Sequence, residues 1–258
     1  MSDLQFALEL ADLADQITLA RYRAQDLKIE TKPDFTPVTE ADHTTELKIR
    51  EMISNRFPND GILGEEFGST NDAAQRVWVI DPIDGTKNYV RSVPVWATLI
   101  ALVDNGQPIV GVVSSPAMGR RWWAEKNQGA FTKDVDGTSR RISVSAVKHL
   151  SDASFSYSDE LGWDRFGNGQ AMQQLKNSVW RSRAYGDFWS HLLVAEGAVD
   201  VAAEPDLKKW DMAANNIIVM GAGGRVTGFT GGDPLIELSA LTTNGLIHKQ
   251  CLQKINGQ

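Results

Sequence analysis

The chain has 258 residues, 42% of them hydrophobic and 23% charged. That length suits one large domain or two intimate subdomains, and the composition excludes a disordered or fibrous chain. A net charge of −7 with no basic stripe speaks against duplex nucleic acid as a partner. The one cysteine, Cys251, rules out an intrachain disulfide and a cysteine-based metal site. Met1-Ser2-Asp3-Leu4-Gln5 lacks a basic n-region, and the apolar runs are far below membrane-spanning length. A cytoplasmic protein with no membrane partner is expected.

Leu4, Ala7, Leu8, Ala11, Ala14 and Ile17 recur at helical spacing, so an amphipathic helix is predicted from about Leu4 to Ala24. Pro33 and Pro37 break the chain into a loop. Thr39-Glu40-Ala41-Asp42 then has capping-box spacing and opens a second helix to about Asn55. Val77 to Ile80 reads as a short buried strand that ends at Asp81, where Pro82 removes a donor and should stop the ladder. Ala97–Val103 and Ile109–Val113 flank Asn105-Gly106, the mark of a β-hairpin. Arg121–Glu125, Ala130-Phe131 and Arg141–Val144 extend a largely antiparallel sheet. Trp122 and Trp123 fall on opposite faces of it, for core or dimer contact.

Beyond Lys148 strands and helices alternate, an α/β pattern. The expected strands are Ala153–Tyr157, Val179–Arg183 and Val199–Ala203, and the expected helices Ala171–Lys176, Phe188–Glu196 and Met212–Gly221. The division is therefore an N-terminal α+β subdomain, 1–147, and a C-terminal α/β subdomain, 148–258, packed together without a Pro/Gly/Ser linker.

Asp81-Pro82-Ile83-Asp84-Gly85-Thr86 places two carboxylates and an intervening carbonyl on a turn at a strand's end. Such hard oxygen ligands suit Mg²⁺, which leaves positions open for water and phosphate oxygens. Gly85-Thr86 leads into a short helical turn whose N–H groups can meet an anion. Taken alone, this is equally a polar turn capped by aspartates. Glu65 ends the apolar run Ile62-Leu63, Asp211 opens an apolar helix, and Asp42 lies in the first turn of the second helix. Each alone is an ordinary cap or solvated charge.

Three blocks together, Gly64-Glu65-Glu66, Trp78-Val79-Ile80-Asp81-Pro82-Ile83-Asp84-Gly85-Thr86-Lys87-Asn88-Tyr89 and Trp210-Asp211-Met212-Ala213-Ala214, resemble the inositol monophosphatase-like family of metal-dependent phosphatases. The resemblance implies a layered α-β-α-β-α sandwich of the inositol monophosphatase/fructose bisphosphatase type. It also implies that Glu65, Asp81 and the Ile83 carbonyl hold one Mg²⁺ and that Asp81, Asp84 and Asp211 hold a second. A third, weaker ion would sit at Glu65. Gly85 and Thr86 would bind phosphate, Thr86 and Asp42 would orient a water, and the protein would be a homodimer. Oxygen ligands accept Mg²⁺ and Mn²⁺ alike. Hydrolysis is expected by direct attack of water that bound metal has made more acidic, because Cys251 is remote from every motif and no histidine sits in a nucleophile motif.

Specificity falls to Asp187, between a strand and a helix, and to Glu204, seven residues before Asp211. The stretches Arg183–Asp187 and Gly85–Thr98 resemble the histidinol-phosphatase branch of the family. Two carboxylates also suit the ammonium and imidazole of L-histidinol, at roughly 1–3 kcal/mol for each charge-assisted bond. The expected reaction is hydrolysis of L-histidinol phosphate in histidine biosynthesis. The alternatives are that Asp187 only caps its helix, that the substrate is an inositol or sugar phosphate, that Lys208-Lys209 serve a second phosphate, or that the chain is a non-catalytic scaffold or regulator.

Overall fold

The computed structural model describes residues 1–257. An eight-stranded sheet is built from β3 (Gly61–Gly64), β4 (Gly68–Thr70), β5 (Arg76–Asp84), β6 (Ala97–Asp104), β7 (Gln107–Ser115), β8 (Arg120–Glu125), β9 (Gly129–Lys133) and β10 (Ser139–Ile142), after a small hairpin of β1 (Ile29–Thr31) and β2 (Pro37–Thr39). Its order is β10-β9-β8-β7-β6-β5-β3-β4. Only the β3–β5 pair is parallel. A five-stranded sheet follows, with β11 (Ser154–Ser156), β12 (Arg181–Arg183), β13 (Val201–Glu204), β14 (Arg225–Thr227) and β15 (Ala240–Thr243) in the order β12-β11-β13-β15-β14.

Nine helices lie among the described residues: α1 (Asp3–Arg21), α2 (Glu40–Arg56), α3 (Thr86–Val90), α4 (Glu160–Arg165), α5 (Gly169–Ser178), α6 (Asp187–Ala195), α7 (Lys209–Gly221), α8 (Pro234–Glu237) and α9 (His248–Ile255). Helices α1 and α2 cover one face of the large sheet, and α7, with α6 beside it, covers the other. Helix α6 also packs on β13 and β15, while α5 and α9 pack together beyond the small sheet. The layers run α-β-α-β-α, as the family resemblance implies.

Side-chain alternation along β5 sets the layers. Trp78 and Ile80 bury themselves against α1 and α2 in a cluster with Phe6, Leu10, Ile49 and Ile53. Val77 and Val79 turn the opposite way, toward Met212, Ala213 and Ile217 of α7. Successive residues of a strand point to opposite faces, so Asp81 continues the Val77–Val79 series and faces α7.

The predicted stop at Pro82 is corrected here. The strand runs on to Asp84, with a shift of register: Asp81 lies opposite Leu99 and Asp84 opposite Ala97. Three steps on β5 are matched by two on β6, which is a one-residue bulge. Leu99 and Ala97 both belong to the α7-facing core, so the bulge brings Asp84 back to the face that Asp81 occupies. Proline is tolerated because a bulge leaves one N–H outside the ladder.

Helix α7 seats closely on this face. A Cβ on Gly111 of β7 would stand 2.3 Å from Ile217 Cγ2 and 2.8 Å from the Ala214 carbonyl, so glycine is needed for the approach. The predicted hairpin forms as β6 and β7 around Asn105-Gly106. Trp122 is buried under α6 and α7, whereas Trp123 stacks on Phe131 from the other face. The short β1, β2, β4 and β14, and helices α4, α8 and α9, were not anticipated, because three- to eight-residue elements show too little periodicity.

Candidate active site

Three aspartates converge from separate elements. Asp81 and Asp84 come from the bulged end of β5 and Asp211 from the first turn of α7, and a carboxylate oxygen from each lies within 4.8 Å of the others. Glu65 joins them because β3 and β5 are parallel. Gly64 pairs with Ile80, the Glu65 N–H donates to the Ile80 carbonyl at 3.2 Å, and the next residue on each strand is an acid.

Each aspartate is held by one oxygen. Asp81 Oδ1 accepts from the Ile83 N–H at 3.0 Å, Asp84 Oδ2 from the Phe188 N–H at 2.8 Å, and Asp211 Oδ2 from the Lys208 N–H at 2.7 Å. One carboxylate oxygen of each lies in the shared space. Burial, followed by the repulsion of neighbouring carboxylates, pushes Asp81 and Asp84 well above the usual carboxylate range. Asp211 is raised to about 7, again chiefly by burial.

No lysine or arginine among the described residues forms an ion pair with these three aspartates; the nearby Lys32 spends its charge on Glu65 and Glu66, at 2.8 Å each. Like charges gathered out of water need a cation or protons. Anchored hard oxygens with one free position each fit a divalent cation of the Mg²⁺ class.

Asp42 fulfils its predicted capping role: Thr39 N–H and Oγ1 donate to Asp42 Oδ2 at 2.8 and 2.6 Å. Its other oxygen, Oδ1, faces Thr86. The Thr86 hydroxyl lies 3.4 Å from it and makes its shorter bond, 2.9 Å, to the Ile83 carbonyl. Thr86 therefore spans the expected water-orienting acid and the expected carbonyl ligand. Burial raises Asp42 to about 6. Gly85 precedes α3 with φ +82°, a left-handed value that glycine adopts at little cost, and Gly85, Thr86 and Lys87 at the start of α3 line the cleft.

Gly64 has a separate reason to be glycine. A Cβ there would fall 2.0 Å from Glu46 Oε1, and the buried Glu46 carboxylate accepts the Glu66 and Phe67 N–H groups at 2.7 and 3.2 Å. This pins the segment that carries Glu65.

Asp187 and Glu204, the residues expected to set specificity, lie on the side of the cleft formed by the second half of the chain. Asp187 has φ +44°, a conformation that Asp tolerates better than most residues. It makes no side-chain cap to α6, which removes the capping-only reading. Its carboxylate instead accepts from Asn88 Nδ2 at 3.1 Å, and a Cβ on Gly85 would meet Asp187 Oδ2 at 3.2 Å. The cap of α6 comes from Asp84, which holds the start of the helix directly against the carboxylate cluster. Glu204 ends β13, is buried, and accepts from the Ser158 N–H at 2.5 Å. Burial lifts it to about 8. Ser158 couples the two acids, because its hydroxyl accepts the Asp187 N–H at 2.8 Å.

A cleft of about 660 Å³ lies between the walls, lined by Glu65, Thr86, Asp187 and Asp211 among others. A smaller chamber of about 250 Å³ opens beside it, with Glu204, His191 and Asn215 in its lining. Sequence reasoning missed Lys32 and Ser158, which lie in irregular segments with no spacing signal, and gave no role to Asn88. His43 stands at the rim, 3.8 Å from Glu66, as a half-exposed side chain of α2.

No helix among the described residues is long and apolar enough to cross a membrane. The model of the inositol monophosphatase family matches residues 2–257. The chain is 53% identical to a histidinol-phosphatase of Mycobacterium tuberculosis, with 98% of each chain covered. It is 52% identical to a histidinol-phosphatase of Streptomyces coelicolor, over 99% of this chain and 97% of the relative. An IMPase of Thermotoga maritima superposes with a TM-score of 0.87 at 30% identity, over 100% of this chain and 98% of the other. Motifs, layers and relatives agree: the chain belongs to the inositol monophosphatase family.

Proposed function

We propose that this protein is a Mg²⁺-dependent phosphatase that converts L-histidinol phosphate to L-histidinol and phosphate, the dephosphorylation step of histidine biosynthesis. The observation that carries the reading is that Ser158 ties the Asp187 backbone to the Glu204 carboxylate, setting both acids beside the carboxylate cluster. The two relatives above bear the name histidinol-phosphatase.

Glu65, Asp81, Asp84, Asp211 and the Ile83 carbonyl would hold two to three Mg²⁺ ions, with Mn²⁺ as a substitute. Metal bound there neutralises phosphate oxygens and makes water more acidic near neutral pH. Gly85 and Thr86 bind the phosphate through their N–H groups. Asp42 and Thr86 hold the attacking water in line, Glu65 assists its deprotonation, and no covalent phosphoenzyme forms. Asp187 and Glu204 bind the cationic alcohol and fix its oxygen. We take the working form to be a cytoplasmic homodimer, which light scattering would check.

The test is phosphate release from L-histidinol phosphate, inositol 1-phosphate and an adenosine bisphosphate, each with and without MgCl₂. Mg²⁺-dependent release with a strong preference for L-histidinol phosphate is expected. A preference for inositol 1-phosphate would overturn the substrate, and no release from any ester would leave a non-catalytic protein of this fold.

A further inference from the structure

Asn215, in the lining of the inner chamber, carries a buried acceptor that no described part of the protein satisfies. Asn215, on α7, is 3% exposed, and its Oδ1 is buried without a hydrogen-bond partner among the described residues. The orientation of its amide is fixed. The NH₂ group donates to the Asp211 carbonyl at 2.8 Å, and that carbonyl can only accept, so the oxygen must be the end turned away. An unpaired buried acceptor is uncommon in a folded protein and calls for a donor.

The neighbouring groups say which donor. His191 Nδ1 is paired with the Thr242 hydroxyl at 2.8 Å, and among the described residues its Nε2 makes no bond in the protein. Burial holds His191 down to about 4, so the ring is neutral and does not repel a cation. Glu204 and Asp187 line the same chamber, Phe188 and Leu207 give it apolar surface, and Lys87 is the one lysine or arginine in its lining among the described residues. At about 250 Å³ it lies below the roughly 300–1,000 Å³ of pockets for drug-sized ligands, the scale of one small ring. It shares Ser158, Asp187 and Asp211 with the main cleft, so a ligand whose phosphate sits at the metals can extend into it.

We infer that this chamber receives the nitrogen heterocycle of the alcohol, with an imidazole N–H donating to Asn215 Oδ1 and the ring lying beside His191 and Phe188. Asn215 is then a specificity residue that selects a ring N–H over an apolar ring. The inference rests on the substrate reading above and adds the residue that distinguishes L-histidinol from an amino alcohol of similar size.

The experiment is calorimetric titration of the full chain in MgCl₂ with L-histidinol and with L-phenylalaninol, which keeps the amino alcohol and replaces the heterocycle. Wild type is expected to bind L-histidinol at least about tenfold more tightly. Asn215→Leu, which keeps the volume and removes the acceptor, should bring the two ligands close to parity, and Asn215→Ala should do the same if the leucine variant fails to fold. Equal binding of both ligands by wild type would overturn the inference, as would an Asn215→Leu or Asn215→Ala protein that keeps the full preference or loses both ligands alike. If wild type neither binds L-histidinol nor releases phosphate from its phosphate ester, the substrate reading itself fails. If wild type turns the ester over selectively and the variants keep its ligand preference, only the role of Asn215 fails.

Discussion

The two walls of the cleft are built by different means. The metal-facing wall rests on strand geometry: Glu65 and Asp81 are adjacent because they follow the paired residues Gly64 and Ile80 of two parallel strands, and Asp84 joins them through a bulge. The facing wall rests on side-chain and loop contacts between distant segments, such as Asn88 to Asp187 and Ser158 to Glu204. Sheet geometry ties the first wall to the core of the fold, whereas the second can change with a few residues. On the function proposed above, a common chemistry can thus be kept while the alcohol is altered.

That contrast can be broken experimentally, beginning with the largest effect. Asp84→Asn should lower kcat/KM by about 10²–10³-fold or more for every ester, because charge at the reacting phosphate is lost whatever the alcohol. Steady-state kinetics on L-histidinol phosphate and a neutral ester would check it, and a loss confined to one ester would show that the walls are not separate. Asp187→Asn and Glu204→Gln should raise KM for L-histidinol phosphate by about tenfold each, in line with one charge-assisted bond, and affect a neutral ester much less. An equal loss on both esters would remove these residues from specificity.

A smaller effect concerns pH. Burial raises Asp211 to about 7 and Glu204 to about 8, far above the carboxylate values of an unfolded chain. A raised acid favours the folded state while protonated, so this stability is present at low pH and is lost as pH rises through the folded values. Metal-free protein should therefore melt at a lower temperature at about pH 8 than at about pH 6, although the depressed His191 and His248 oppose the trend below their ordinary range. Mg²⁺ should raise the melting temperature more at the higher pH, by about 2.7 kcal/mol of stability at a hundredfold excess over its Kd. A Mg²⁺ shift that is larger at the lower pH would mean that the carboxylates are not the site.

The smallest expected change is structural. Gly64→Ala would press a methyl against Glu46 and should cost about 1–3 kcal/mol in denaturant unfolding. A neutral result would mean that Glu46 moves freely and does not fix the Glu65 segment.

The same contrast explains what could be read from residues alone. Alternation and turn chemistry identify α1, α2 and the β6–β7 hairpin, and the capping box at Thr39–Asp42 forms as its spacing predicts. The acids of the metal-facing wall were visible because they sit at the ends of apolar runs. Lys32 and Ser158 were not, because their roles exist only once remote loops meet. Pro82 misled the strand prediction, since a rule about lost donors does not distinguish a strand's end from a bulge.

The bulge at Pro82 has a consequence for how this sequence can change. Because it is one extra residue, its effect lies in a count and not in a particular side chain. Loss of a single residue between Asp81 and Asp84 would leave every acid present and both on the α7 face, yet straighten the strand and remove the Pro82–Ile83 bulge that sets their separation and turns the Ile83 N–H to Asp81. Point substitutions there can be graded in effect, but an insertion or deletion would redraw the bulge itself, and lineages retaining the chemistry should preserve that spacing more strictly than the identity of the residues within it.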